Sequence, residues 1–175
     1  SSAASDVYKR QVHFETLHPD HLYTDVFGVP APDTPMAREL WPRQMGAFIR
    51  QRQDPVAPAL ELRVGQFGLV PRWVKSASDA KLRSPKLVNA RNETLTTSNN
   101  LREAWLAGQR CVVPMQAFFE DDWRSGKAVP TRIARVDGQP MGVACVWERW
   151  VGADGDEIVS FTLLTVNANS HALMH

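Results

Sequence analysis

Short apolar runs separated by turn signals fill the second half of the chain, and this pattern is typical of β-strands. Strands are predicted at 111–113, 117–120, 132–136, 141–147 and 158–166. The pairs Asp137-Gly138 and Asp154-Gly155 interrupt alternating runs and favour the tight turns that join antiparallel strands. We therefore expect the last three strands to form an antiparallel meander.

The first half of the chain has fewer regular signals. A proline start and a glycine stop predict a short helix over 19–27, with Gly28 just beyond it. The stretch 30–60 is rich in proline and has little periodicity, so it predicts a long ordered loop. Further strands are expected at 62–70 and 87–91.

One more helix is indicated between these strands and the second half of the chain. Asn100, with Glu103 three residues later, predicts a capped helix that ends near Gly108. With few helices and many strands, the pattern predicts a single α+β domain. We expect a curved, mainly antiparallel barrel-like β-sheet and a few flanking helices.

The two ends of the chain differ from the rest. Residues 1–11 have no periodicity and little apolar content, so we interpret them as a non-native or disordered tail. Ser170 could cap a helix that begins in the last residues. We therefore expect the domain to occupy 12–175 and to be incomplete at both ends.

Composition places the chain among ordinary globular proteins. It has 175 residues, of which 43% are hydrophobic and 22% charged. No apolar run approaches the roughly 18 residues of a membrane span, and no secretory signal opens the chain. Cys111 and Cys145 lie in apolar runs, which favours reduced thiols in the cytoplasm. No metal or cofactor motif is present, so neither is expected.

Positive charge is concentrated in one stretch, 38–91. It holds Arg38, Arg43, Arg50, Arg52, Arg63, Arg72, Lys75, Lys81, Arg83, Lys86 and Arg91 against Glu39, Asp54, Glu61 and Asp79. Trp41 and Trp73 lie among these residues. The excess is consistent with a phosphate-facing surface and equally with a solvated loop face.

Polar residues at strand ends are the remaining candidates for chemistry. In the segment NARNET (89–94), an extended chain would place Asn89, Arg91 and Glu93 on one face. That face either meets water or lines a polar cleft. Glu120 follows two phenylalanines, whose apolar surroundings would raise a carboxyl pKa and suit a proton shuttle. An acidic loop that includes Asp121 is the alternative.

Four segments, in this order and spacing, carry a family resemblance: GQFGLVPRW (65–73), NARNET (89–94), RCVVPMQAFFEDDW (110–123) and FTLLTVNAN (161–169). Together they resemble the SOS-response-associated peptidase family, the SRAP domain, whose members crosslink to abasic sites in DNA. The resemblance implies one α+β domain around a barrel-like sheet. It also implies a positively charged groove for single-stranded DNA, a monomer with no membrane contact, and a cytoplasmic protein that joins the nucleoid at damaged DNA.

The resemblance implies a mechanism as well. An N-terminal cysteine condenses with the aldehyde of a ring-opened abasic sugar and forms a thiazolidine, which requires an amine and a thiol on adjacent carbons. Asn89 is implied to orient the amine and sugar, Glu120 to move protons, and a histidine after the last strand to open the sugar ring. His175 is the better candidate for that histidine and His171 the poorer one.

The implied DNA contacts lie in the first three segments. Arg91 is expected on a phosphate beside the lesion, with Glu93 holding it, and Trp73 with Arg72 on the neighbouring bases and backbone. The chain departs from the family where FFEDDW replaces the usual FYEW. The expected nucleophile is also absent, because Cys111 and Cys145 are internal and have no free α-amine.

Three functions stay open at this point. The first is abasic-site crosslinking with lyase-like activity, together with cysteine-type peptidase self-processing by the same residues. The second is a non-enzymatic single-stranded DNA-binding module, which the sequence Met-Cys at the true N-terminus would disfavour. The third is a ligand-binding β-barrel unrelated to DNA, which would leave the basic stretch 38–91 unexplained.

Overall fold

The computed structural model describes residues 12–54, 56 and 59–166. Within them the strands are β1 (His13–Glu15), β2 (Glu39–Leu40), β3 (Met45–Gln51), β4 (Leu60–Phe67), β5 (Asn89–Arg91), β6 (Arg110–Met115), β7 (Ala117–Asp122), β8 (Val129–Ile133), β9 (Met141–Val151) and β10 (Glu157–Thr165). The helices are α1 (His21–Phe27), α2 (Ala77–Arg83) and α3 (Arg102–Leu106), with short 3-10 helices at Ser84–Lys86 and Asn92–Thr94.

A closed five-stranded barrel forms the centre of the fold. Its strands follow the order β4-β3-β6-β9-β10, and β10 pairs back onto β4 in parallel, which closes the ring. β5 also pairs with β10 in parallel, along the same edge as β4 and just beyond it. The predicted single α+β domain with a barrel-like, mainly antiparallel sheet is therefore confirmed.

A second, smaller sheet packs against the barrel. Its four strands are antiparallel and follow the order β2-β1-β7-β8. The largest apolar cluster, here called the barrel cluster, joins the two sheets. It contains Phe14, Leu40, Phe48, Phe67, Val88, Cys111, Val113, Met115, Cys145, Trp147, Phe161 and Leu163, with Val12 and Phe118 packed against it.

The prediction of a long loop over 30–60 is wrong. β2 and β3 lie there, and β3 pairs with both β4 and β6 in the barrel wall. Residues 46–49 of β3 are all buried, because both faces of the strand are covered. A strand covered on both faces has no polar-apolar alternation, so the signal on which the prediction depended is absent.

The predicted meander is half wrong. β9 and β10 form the expected antiparallel hairpin around Gly155. β8, however, pairs with β7 in the small sheet, where Ile133 lies opposite Phe118. The turn at Asp137-Gly138 exists, with Gly138 N–H donating to the Arg135 carbonyl, but it leads from one sheet to the other. A turn signal identifies a change of direction and not the pairing partner.

Both predicted helices form, but the N-cap predicted for α3 is wrong. α1 ends as expected at Gly28, whose φ of 69° is left-handed and whose N–H donates to the Thr24 carbonyl. α3 forms where predicted, but Asn100 does not cap it. Leu101 occupies the N-cap position and makes no side-chain cap hydrogen bond.

Gly68 sets how closely the segment after α2 approaches the barrel. It ends β4 with a φ of 116°, and a Cβ there would lie 2.5 Å from the Ser84 carbonyl oxygen. Ser84 is fully buried, and its hydroxyl donates to the Gly68 carbonyl. This close approach brings the 3-10 helix Ser84–Lys86, and β5 after it, against the barrel.

Replacing Gly68 with alanine should therefore destabilise the fold strongly. We expect Gly68→Ala to lower the free energy of unfolding by roughly 2–4 kcal/mol, because both backbone strain and a backbone clash are introduced. Gly138→Ala is the matched control, since Gly138 has a φ of 72° and open space around it. It should lose only about 1 kcal/mol. Urea unfolding measures both, and equal losses would contradict this account of Gly68.

Candidate nucleic-acid site

β5 presents two exposed polar side chains on one face. Asn89 and Arg91 are exposed and Ala90 between them is buried, as strand alternation requires. The strand ends at Arg91, so the expectation that Glu93 shares this face is wrong. Glu93 lies instead in the 3-10 helix Asn92–Thr94, because the chain turns and the Thr94 hydroxyl donates to the Arg91 carbonyl.

The pairing of β5 shows which side of the sheet Asn89 and Arg91 occupy. Asn89 lies opposite Leu163 of β10, and Leu163 belongs to the barrel cluster. Ala90 faces the other way, into a separate cluster with Ala104 of α3. The predicted polar face therefore borders the barrel cluster. Among the described carboxylates, Glu93 included, none forms an ion pair with Arg91.

Glu120 reaches the same cluster from the small sheet. It lies two residues after Phe118 on β7, so the two side chains share a face, and Phe118 packs against the barrel cluster. β1 pairs with β7 so that His13 lies opposite Phe119. β1 therefore runs alongside the strand that carries Glu120.

Burial perturbs the Glu120 carboxyl group. Desolvation raises the pKa of Glu120 above the ordinary glutamate value of 4.5, and the neighbouring Asp121 charge raises it further. The sequence interpretation of a partly desolvated carboxylate thus agrees with the position of this residue. A carboxyl group with a raised pKa holds its proton nearer neutral pH, which suits transfer of a proton to or from a ligand.

A stack of three aromatic rings around β1 was not predicted from the sequence. The His13 ring lies between Trp41, with ring centroids 3.7 Å apart, and Phe119, with centroids 4.3 Å apart. The three rings are nearly parallel, with interplanar angles of 10° and 3°. This stack joins β1 to β7 and to the residue after β2, on the face of β7 opposite to Glu120. No sequence signal connects these rings, because 28 residues separate His13 from Trp41.

Arg72 and Trp73 lie together in the loop between β4 and α2. The Arg72 Nε donates to Glu148 Oε1 at 2.7 Å, and its guanidinium also donates to Gln109 Oε1. Trp73 is 43% exposed, and the Arg83 guanidinium lies 4.7 Å from its ring centroid. The structure thus pairs Arg72 with a buried carboxylate and places Arg83, which the sequence analysis did not select, over the indole.

Much of the basic stretch carries uncompensated charge. Arg50, Arg52, Arg72 and Arg83 form ion pairs. The other basic residues are exposed and make no ion pair with a described carboxylate: Arg38, Arg43, Arg63, Lys75, Lys81, Lys86 and Arg91. Exposed cations without ion pairs fit both the phosphate-facing surface and the solvated loop face.

The two described cysteines face each other inside the barrel. Cys111 of β6 lies opposite Cys145 of β9, and both are buried and free. Burial raises the pKa of Cys145 well above its ordinary value, so the reactive thiolate is suppressed. Both cysteines lie in the barrel cluster, away from solvent.

Several expectations fall outside this site. His171 and His175 lie beyond the described residues.

A cavity of about 270 Å³, lined by Glu15, Thr16, His18, Arg38, Glu39 and Gln116, lies at the end of β1 away from Glu120. In the described part of the chain, no three His, Cys, Asp or Glu residues converge as metal ligands. Of the described helices, none has the length and apolar character needed to cross a membrane.

Comparison with known proteins places this geometry in a family. The family model described as SOS response associated peptidase (SRAP) matches residues 14–175. The abasic site processing protein YoqW of Bacillus subtilis is 30% identical over 105 residues, covering 59% of this chain and 45% of that protein. The abasic site processing protein HMCES of Gallus gallus is 34% identical over 151 residues, covering 73% of this chain and 45% of that protein.

Solved structures agree on the fold. A crystal structure of a protein from Bordetella bronchiseptica superposes with a TM-score of 0.78 at 38% identity, covering 92% of this chain and 74% of that one. The chain spans about half the length of the curated relatives it matches. The match to the family extends over nearly the whole of the described domain, and the chain belongs to the SRAP family.

Proposed function

We propose that this domain binds single-stranded DNA at abasic sites and links to them covalently through an N-terminal cysteine. The observation that carries this proposal is the position of Glu120. Its half-buried carboxyl group lies on the face of β7 that Phe118 packs against the barrel cluster, and Asn89 lies on the same side of the barrel sheet as Leu163 of that cluster. Relatives named as abasic site processing proteins support the same assignment.

The proposed chemistry uses an amine and a thiol on one residue. The cysteine α-amine adds to the aldehyde carbon of the ring-opened sugar and gives a carbinolamine. Loss of water, with the Glu120 carboxyl donating a proton to the departing hydroxyl, gives an imine. The thiolate then adds to the imine carbon, the nitrogen takes up a proton, and a thiazolidine results. Cys111 and Cys145, which are internal and buried, cannot perform these steps.

Asn89 and Arg91 have separate roles in this proposal. The Asn89 amide can donate to the sugar oxygen and accept from the amine. The Arg91 guanidinium, exposed and without a described carboxylate partner, is available to a phosphate beside the lesion. Peptidase self-processing would use the same cysteine and Glu120, and we propose it as a second reaction of this site. For the ring-opening histidine we retain His175 as the proposal.

A binding module without chemistry is the second candidate function. The uncompensated basic residues and the exposed Trp73 favour DNA binding even without the nucleophile. Adduct formation separates the two candidates. The protein expressed from its full coding sequence should form a denaturation-resistant adduct with a single-stranded oligonucleotide that carries one abasic site. The adduct mass should equal protein plus DNA minus one water, without any borohydride reduction.

Glu120→Gln should slow this adduct by roughly 10²-fold or more at unchanged DNA affinity, because a general acid is lost. Single-turnover kinetics on denaturing gels measure the rate. DNA binding without an adduct would support the second candidate, a binding module without chemistry. The absence of both DNA binding and adduct would overturn the proposal.

DNA affinity provides a test that needs no nucleophile. Arg91→Gln should weaken binding to single-stranded DNA, and the slope of log K against log salt should fall in magnitude by about 0.7, as for one lost phosphate contact. Arg102→Gln is the matched control, because Arg102 is also exposed and unpaired among the described residues but lies on α3, which packs on the other face of β5. Fluorescence anisotropy at several salt concentrations measures both. Equal salt slopes for the Arg91→Gln and Arg102→Gln proteins would show that Arg91 makes no phosphate contact.

The raised pKa of Glu120 predicts an effect on stability with a definite sign. Because the folded state holds the carboxylate less favourably than water does, the free energy of unfolding should fall as pH rises from 4.5 through the raised pKa. Glu120→Gln should therefore be more stable than the parent at pH 7 and equal to it below pH 4.5.

Glu157 is the opposite case and serves as the control. A hydrogen bond from Arg149 lowers the pKa of Glu157, so Glu157→Gln should lose stability at pH 7. Chemical unfolding at both pH values measures the two variants. A Glu120→Gln protein that is less stable than its parent at pH 7 would contradict the assigned desolvation.

A further inference from the structure

The loop that carries Trp73 has a rigid support. The N–H of Val70 donates to the Ser160 hydroxyl at 2.9 Å, and Trp150 Nε1 donates to the Val74 carbonyl at 2.5 Å. Val70, Val74 and Trp150 are buried in one small cluster with Ala80 of α2. The barrel therefore holds both sides of Trp73 in place and fixes α2 next to it.

Arg72 belongs to this support and not to the free surface. Its partner Glu148 is 1% exposed. Among the described cations, Arg72 is the one that forms an ion pair with Glu148. Gln109 bridges the two, because it accepts from Arg72 and donates to Glu148 Oε1 at 3.0 Å. Moving Arg72 to a phosphate would leave a buried carboxylate without its counter-ion, which is strongly unfavourable.

Arg83 has the opposite character. Its Nε donates to the Asp79 carboxylate at 2.9 and 3.0 Å, and both side chains remain partly exposed, at 47% and 35%. An exposed pair of this kind contributes little, so its exchange for another anion is easy. The guanidinium already lies over the Trp73 indole. Lys81 and Lys86, exposed and unpaired among the described residues, flank it on the same segment.

We propose that Trp73 and Arg83 together bind the single-stranded DNA next to the lesion, while Arg72 acts as a positioning residue. A base extends this stack of guanidinium on indole, and Arg83 exchanges Asp79 for a phosphate. Arg72, neutralised by Glu148, keeps the Trp73 loop in place. This inference rests on the proposed DNA binding and assigns the arginine that makes the contact.

Salt-dependent affinity distinguishes the two arginines. With a fluorescein-labelled thymidine oligonucleotide, Arg83→Gln should raise Kd roughly 5- to 10-fold and reduce the salt slope by about 0.7. Asp79→Asn should lower Kd, because it removes the carboxylate that competes with the phosphate. Arg135→Gln and Asp137→Asn are matched controls from another, more exposed ion pair and should change Kd less than twofold.

Arg72→Gln should keep the parental salt slope, because Arg72 makes no phosphate contact, while its Kd rises through loss of the Trp73 position. A lower slope for Arg72→Gln, with Arg83→Gln equal to Arg135→Gln, would overturn the inference. So would weaker binding by Asp79→Asn. If Arg72→Gln does not fold, the two exposed variants on α2 decide alone. If the parent chain does not bind DNA, the proposed function itself is overturned. If Arg91→Gln weakens binding as expected but Arg83→Gln has no effect, only this inference is overturned.

Discussion

The parallel pairing of β10 with both β4 and β5 is the constraint on which the site depends. Pairing with β4 closes the barrel, and pairing with β5 attaches a three-residue strand to the edge of that barrel. Because parallel neighbours share a face, Asn89 is forced onto the side of buried Leu163. This strand order therefore places the exposed polar side chains of β5 next to the closed apolar interior of the barrel. No further strand or helix is needed to hold them there.

The barrel cluster has a second consequence at Glu120. Phe14 and Phe118 of the small sheet cover the barrel cluster. Glu120 lies two residues after Phe118 on the same face of β7, where this apolar cover ends. Its carboxyl group is therefore half removed from water, and its pKa rises. The same burial that opposes ionisation, and so costs stability at neutral pH, prepares the group to hold and deliver a proton. Stability and proposed chemistry are in opposition at this one residue.

Local signals in the sequence predicted local structure. Gly28 ended α1 as expected, and the turn before Gly155 gave the β9–β10 hairpin. β3 could not be predicted, because a strand covered on both faces shows no alternation. Partners distant in sequence were equally hidden. The pairing of Arg72 with Glu148 joins residues 76 apart, so the charge pattern alone made Arg72 resemble a free surface cation. Alternation did predict the shared face of Asn89 and Arg91, and failed only where the chain turned at Asn92.

The most direct test of the central claim is a structure of the protein bound to single-stranded DNA that carries a tetrahydrofuran abasic analogue, which binds without reacting. The account predicts the analogue between Asn89 and Glu120, with Arg91 on the adjacent phosphate. Density for the abasic sugar at any other place, such as the cavity beside His18 and Arg38, would contradict it.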